Sequence, residues 1–195
     1  MSGEPNPNPA SGEQQLQAGD FAAWLVSMRA AVRGEQSANV PCGDCTACCA
    51  SAQFIHIAPD ETDALAHIPR AVLFPAPRAP SGHVLMGYDE RGRCPMLVDG
   101  SCTIYEHRPV TCRTYDCRVF PAAGVDAEDD KPLIATQARR WVFSHPTKAD
   151  VALHDSVKAT AVFLREDPQR ARVANATQLA VMAVELQGSL PPAKH

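Results

Sequence analysis

Aromatic residues make up only 6% of this 195-residue chain, too few to furnish the faces of a large sheet. No apolar run approaches the ~20 residues that a membrane-spanning helix needs. Net charge is −4 and the pI about 5.9, so there is no global basic field to draw the chain to nucleic acid or acidic lipid. The N-terminus, MSGEPNPNPASGEQQ, has neither a basic n-region nor an apolar h-region. Nothing there marks the chain for export, and the expected location is the cytoplasm. The eleven glycines form no phosphate-cradling nucleotide loop, and no paired acid and base stand out as catalytic.

Cysteine and proline are plentiful instead, at eight and 17 residues. Four of the cysteines fall within Cys42-Gly-Asp-Cys-Thr-Ala-Cys-Cys49, that is Cys42, Cys45, Cys48 and Cys49. The others, Cys94, Cys102, Cys112 and Cys117, are spread over 24 residues. In a reducing cytosol such density points to metal binding or catalysis rather than disulfides. A disulfide scaffold suits chains under ~100 residues that cannot build a core, and this chain is longer. Two-residue gaps let a tight loop aim successive thiolates at one centre while its backbone N–H groups bond to the sulfurs. Three cysteines in succession at that gap resemble the ferredoxin run, which favours an iron–sulfur cluster over zinc. The fourth thiol departs from that run, because it follows immediately at Cys49. Adjacent side chains diverge, which points Cys48 and Cys49 toward different centres, each completed by thiols from 94–117. The competing arrangement is one centre, with the remaining cysteines packed as small apolar residues.

Around these clusters the pattern predicts an α+β chain. Residues 1–13 read as a disordered tail, and 14–36 as an N-terminal helix capped by Asp20 and stopped by Gly34. Phe21, Trp24, Leu25, Met28 and Val32 recur on one face of that helix. Residues 54–57 read as a strand, and Pro59 as the opening of a helix whose first turn holds Asp60, Glu61 and Asp63. The proline-rich stretch 70–82 reads as a loop and 83–88 as a strand. Residues 94–102 read as a hairpin around Asp99-Gly100. A three-residue loop, Val98-Asp99-Gly100, is preferred there, because it pairs Met96 with Cys102 and puts Cys94 on the same face. Residues 126–132 form a charged connector, and 133–144 are ambiguous between strand and helix. A helix starts at Thr147, and a second is expected from Asp167-Pro168 to Gly188. The architecture is thus a small, irregular, metal-stapled cysteine-rich core over 40–121 with a short hairpin. An N-terminal helix and a C-terminal helical pair within 130–190 pack on it.

The joint pattern CGDCTACC, GRCPML, DGSCTIYEHRPVTCR and TYDC resembles the CxxCxxCC cysteine-cluster family (YkgJ-type), a zinc- or iron-chelating domain. The resemblance covers roughly residues 40–121. It implies Cys45, Cys48, Cys49, Cys94, Cys102 and Cys112 as metal ligands or their neighbours, with Cys42 at the cluster's first position and Cys117 matching less closely. The family is also linked by name to flagellin lysine methylation, which no motif here supports directly.

Arg108 and Arg113 flank the second cysteine group, placed either to offset a thiolate centre of formal charge −2 or simply to face water. Tyr105 reads as a packing residue that could also donate to a sulfur. His56, His83 and His107 are available nitrogen ligands, more simply structural because the thiols suffice. Asp60, Glu61 and Asp63 read as helix-start acids, and Asp99 as a turn residue. The expected cofactor is an iron–sulfur cluster of the 4Fe-4S type, with zinc as the alternative. The functions in play are an iron–sulfur protein, a zinc-stapled binding module with an unidentified protein partner, and a redox or protein-methylating enzyme.

Overall fold

The computed structural model describes residues 14–38, 40–41, 43–127, 131–167 and 175–189. The expected tail at 1–13, Cys42, part of the connector and Pro168 lie outside them. The described residues open with a strand, β1 (Leu16–Asp20), which runs straight into α1 (Phe21–Val32). Asp20 has extended backbone, and its carboxylate accepts the Ala23 N–H at 2.8 Å, which starts the helix. Gly34, at φ +74°, ends it: its N–H reaches the Ala31 carbonyl while that of Glu35 reaches Ala30. This is a Schellman closure, and the left-handed conformation suits glycine. The helix buries Phe21, Trp24, Leu25, Met28 and Ala31.

The ambiguous stretch 133–144 is both things in turn. Pro132 opens α5 (Pro132–Arg139), and β7 (Trp141–Ser144) follows with Trp141 and Phe143 buried and Val142 and Ser144 exposed. Strand β7 pairs in parallel with β1, from Leu16 opposite Trp141 to Asp20 opposite Ser144. Residues 16–20, inside the span 14–36 assigned to the N-terminal helix, form a strand because their partner lies far along the sequence, beyond the reach of local periodicity.

A capping box between Thr147 and Asp150 starts α6 (Lys148–Glu166). A second, between Asn175 and Gln178, starts α7 (Ala176–Leu186). The core joins α1, α6 and α7 to α4 (Val119–Ala123), which supplies Val119, Phe120, Ala122 and Ala123 from the end of the cysteine-rich segment. Small residues (Ala122, Ala161, Ala180, Ala183) fill the crossing, all within 1% of full burial. Arg29 of α1 ties down the end of α7 by donating to the carbonyls of Val184 and Gln187.

A second, smaller apolar cluster lies in the cysteine-rich half: Ile57, Ala64, Ile68, Met86, Met96 and Ile104. Its frame is an antiparallel sheet in the order β2 (Ile55–Ile57), β4 (Val84–Met86), β3 (Leu73–Pro75). The expected loop at 70–82 therefore contains a 3₁₀ turn, Arg70–Val72, and the strand β3. Pro75 is tolerated because β3 is an edge strand. The helix α2 (Thr62–His67) begins after, not at, Pro59. Glu61 is no mere helix-start acid, since its carboxylate accepts the N–H of Ala58 at 2.9 Å and that of Val110 at 2.6 Å.

Candidate metal centre

The first cysteine loop is a tight turn over residues 43–50, in which the Ala50 N–H bonds to the Thr46 carbonyl and the Ser51 hydroxyl to that of Ala47. Two backbone bonds stitch it to the second segment. The Cys94 N–H reaches the Cys49 carbonyl at 2.6 Å, and the Ala52 N–H reaches Gly92, also at 2.6 Å. Cys94 then enters a turn closed by the Leu97 N–H on its own carbonyl. The backbone N–H groups of Met96 and Leu97 also donate to its sulfur, the arrangement that thiolate loops use to stabilise charge.

The hairpin that carries Cys102 departs from the expected three-residue loop. Strands β5 (Leu97–Val98) and β6 (Ser101–Cys102) pair Leu97 with Cys102 and Val98 with Ser101, leaving the two-residue loop Asp99-Gly100. Both loop residues have positive φ, +47° and +76°, the type I′ geometry whose twist matches the strands. Cys94 and Cys102 do not need to share a strand face. Cys94 precedes β5 and reaches the site through its own turn.

Cys112 comes from α3 (Val110–Thr114), which is tied to β2 by the Thr111 hydroxyl on the His56 carbonyl at 2.7 Å. Four thiols thus converge: Cys49, Cys94, Cys102 and Cys112. Burial pushes the Cys49 thiol up to about 11, helped by Cys94 and Cys102 and opposed by Arg108, with Cys45 adding to the rise. Burial likewise pushes Cys112 up to about 12, again with Cys94, Cys49 and Cys102 adding and Arg108 opposing. Cys94 is raised too, chiefly by burial, against the Met96 N–H. Metal-free, Cys49 and Cys112 are protonated at neutral pH, because burial disfavours their thiolates and neighbouring sulfurs add to the cost. A thiophilic cation removes that conflict, so the donor set fits a metal.

Cys48 faces the other way. With Cys117 it borders the partly buried Tyr115, whose hydroxyl is raised first by burial and then by those two sulfurs. Cys117 is itself 5% exposed, lies in the helical core, and accepts the Trp141 indole N–H at 3.2 Å. No described cysteine is in a disulfide.

Of the flanking residues, Arg108 acts on Cys49 and Cys112, whereas Arg113 acts on Asp63. Tyr105 neither packs nor binds sulfur: it is 57% exposed, and the Arg108 guanidinium lies over its ring at 3.5 Å. That stacking, with the Arg108 Nε–H on the Tyr105 carbonyl at 2.7 Å, holds Arg108 in place. His56 and His83 contact each other at 3.0 Å. Sequence reasoning missed Asp116 and Arg118, a buried ion pair beside Cys117 with an N–O distance of 2.7 Å.

Residues 41–136 match the model of the CxxCxxCC family, described as "Putative zinc- or iron-chelating domain". Over that stretch, just under half of its 195 residues, the chain is similar to that family. The CxxCxxCC segment spans every described thiol and ends within α5, while β1, α1, α6 and α7 lie outside it. No curated protein and no solved structure matches the chain.

Proposed function

We propose that the CxxCxxCC segment holds an iron–sulfur cluster on Cys49, Cys94, Cys102 and Cys112, with Cys45 at its margin. One observation carries the choice over zinc. These sulfurs act on one another electrostatically, yet among the described residues no three of them come within 4.8 Å of one another. A tetrahedral zinc with Zn–S bonds of about 2.3 Å would draw its four sulfurs to about 3.8 Å apart. A cluster interposes iron and sulfide between the thiolates and suits the wider spacing. Arg108 offsets the net negative charge that either centre would carry. When bound, the cluster would supply one-electron redox chemistry and cross-link three loops.

The test is anaerobic purification followed by iron, acid-labile sulfide and zinc analysis per chain. Iron and sulfide in equal amounts, a brown colour and their loss in Cys102→Ser are expected. Colourless protein with stoichiometric zinc and no sulfide would overturn the cluster and leave a zinc-stapled module.

A further inference from the structure

Away from the thiols, the surface where α2 meets the 3₁₀ turn Tyr105–His107 gathers three other metal-binding side chains. Asp63 and His67 stand four residues apart on α2, so they share one face. His107 comes across from the 3₁₀ turn, its Nδ1 at 3.1 and 3.0 Å from the two Asp63 carboxylate oxygens. The His67 Nδ1 lies 3.7 Å from the same carboxylate and 2.9 Å from the Asp63 carbonyl. One donor atom from each residue lies within 4.8 Å of the other two, and no other set of three among the described residues does so.

We propose that Asp63, His67 and His107 form a separate, surface site for a divalent first-row transition ion of borderline softness, such as Zn²⁺ or Co²⁺. Two imidazoles and one carboxylate are the donor set such ions take, and three protein ligands leave the remaining positions to water. The spacing already brackets what the ion requires: bonds of about 2.0–2.1 Å put tetrahedral ligand atoms roughly 3.4 Å apart. The carboxylate is ready to serve, since the His107 hydrogen bond holds it below the usual carboxylate range, with His67 and Arg113 acting the same way. Arg113 is an opposing charge beside the carboxylate, and it limits the site to modest affinity.

The two rings are stacked face to face, 3.5 Å between centroids and 5° from parallel. An ion shared by both nitrogens must lie in each ring plane, so binding fans the rings apart around the carboxylate. Their side chains, 42% and 39% exposed, have room to turn. An occupied site would pin α2 to the segment that continues into Arg108 and Cys112, whichever metal the thiols carry.

The experiment titrates Co²⁺ into protein whose thiol centre is filled and whose metal content has been measured. One additional Co²⁺ per chain is expected, with the weak ligand-field bands of nitrogen and oxygen donors and no sulfur-to-cobalt charge-transfer band. His67→Ala and His107→Ala should each weaken it by more than the roughly 10-fold that loss of an outer-shell partner costs, with thiol-centre metal unchanged. A readout without variants is the paramagnetic shift of histidine ring resonances, expected to be largest for His67 and His107. No additional ion, a sulfur-to-cobalt band, undiminished affinity in both variants, or largest shifts at other histidines would each overturn the site.

Discussion

Asp116 and Arg118 are 3% and 6% exposed, and their surroundings are built to hold the charges. The guanidinium grips the carboxylate through Nε and Nη2, at 3.0 and 2.7 Å, and spends Nη1 on the Ala18 carbonyl at 3.0 Å. The carboxylate also accepts the Trp24 indole N–H at 2.8 Å and the Arg118 backbone N–H at 2.9 Å. One ion pair thus fastens the end of the cysteine-rich segment to both β1 and α1. Asp-Cys-Arg in a sequence gives no sign of this, because charged residues two apart read as solvated surface and the partners are about a hundred positions away. Breaking a buried pair is worse than lacking one, since the surviving charge is left uncompensated. Asp116→Asn should therefore destabilise by about 3–5 kcal/mol, measured by urea denaturation of the metal-loaded protein. Adding Arg118→Met to it should recover part of that loss. An Asp116→Asn protein of unchanged midpoint would mean that the pair contributes nothing to holding the two halves together.

Elements that local chemistry dictates are legible in the amino-acid order alone. Helices α1 and α6 announce themselves because a cap residue stands directly before a periodic run, at Asp20 and at Thr147. Elements that depend on distant partners do not: β1 needs β7, and β3 needs β4 to make a strand of proline-flanked residues. The thiol set sits between these cases. The sequence singles out every one of its cysteines and parts Cys48 from Cys49, but it does not show that Cys48 joins Cys117 beside Tyr115 while Cys49 and Cys112 lie near Arg108. The hairpin is misread for a third reason. Requiring Cys94 and Cys102 to share a face overrides the plainer signal that Asp-Gly closes a two-residue turn. That turn has a testable consequence, because Gly100 at φ +76° sits where a side chain strains the backbone while its Cβ would meet nothing. Gly100→Ala should cost about 1–2 kcal/mol, seen as a lower melting temperature, whereas Asp99→Asn should be neutral. Gly100→Val should go further and reduce metal content, since β6 carries Cys102. Full metal content in Gly100→Val would show that Cys102 is placed independently of the hairpin.

At the scale of the molecule, two apolar clusters differ in how much they can hold. The helical one draws on α1, α4, α5, α6, α7 and β7, while the cysteine-rich one has six buried residues, of which only Ile57 and Met86 lie on strands, each three residues long. Burial of that size is marginal against the ordering of long loops. Structural thiolate–metal sites contribute on the order of 10–16 kcal/mol, comparable with the ~5–15 kcal/mol of a whole domain. Removing the metal should therefore open the region from about 43 to 112 to protease while the helices resist, and reloading should restore protection. The thiols add a pH signature. Cys49 and Cys112 stand at about 11 and 12 in the metal-free fold, against about 8.5 for an unfolded thiol. The unfolded chain therefore gives up these protons first as pH rises. Metal-free protein has its full stability below about pH 8.5 and loses it progressively toward 11–12. Metal-loaded protein carries the same sulfurs as bound thiolates and escapes that loss. Thermal melts from pH 7 to 10.5 should diverge accordingly, the metal-free midpoint falling and the loaded one holding. Parallel curves, or a metal-free protein as protease-resistant as the loaded one, would mean that the fold of this segment does not depend on its metal.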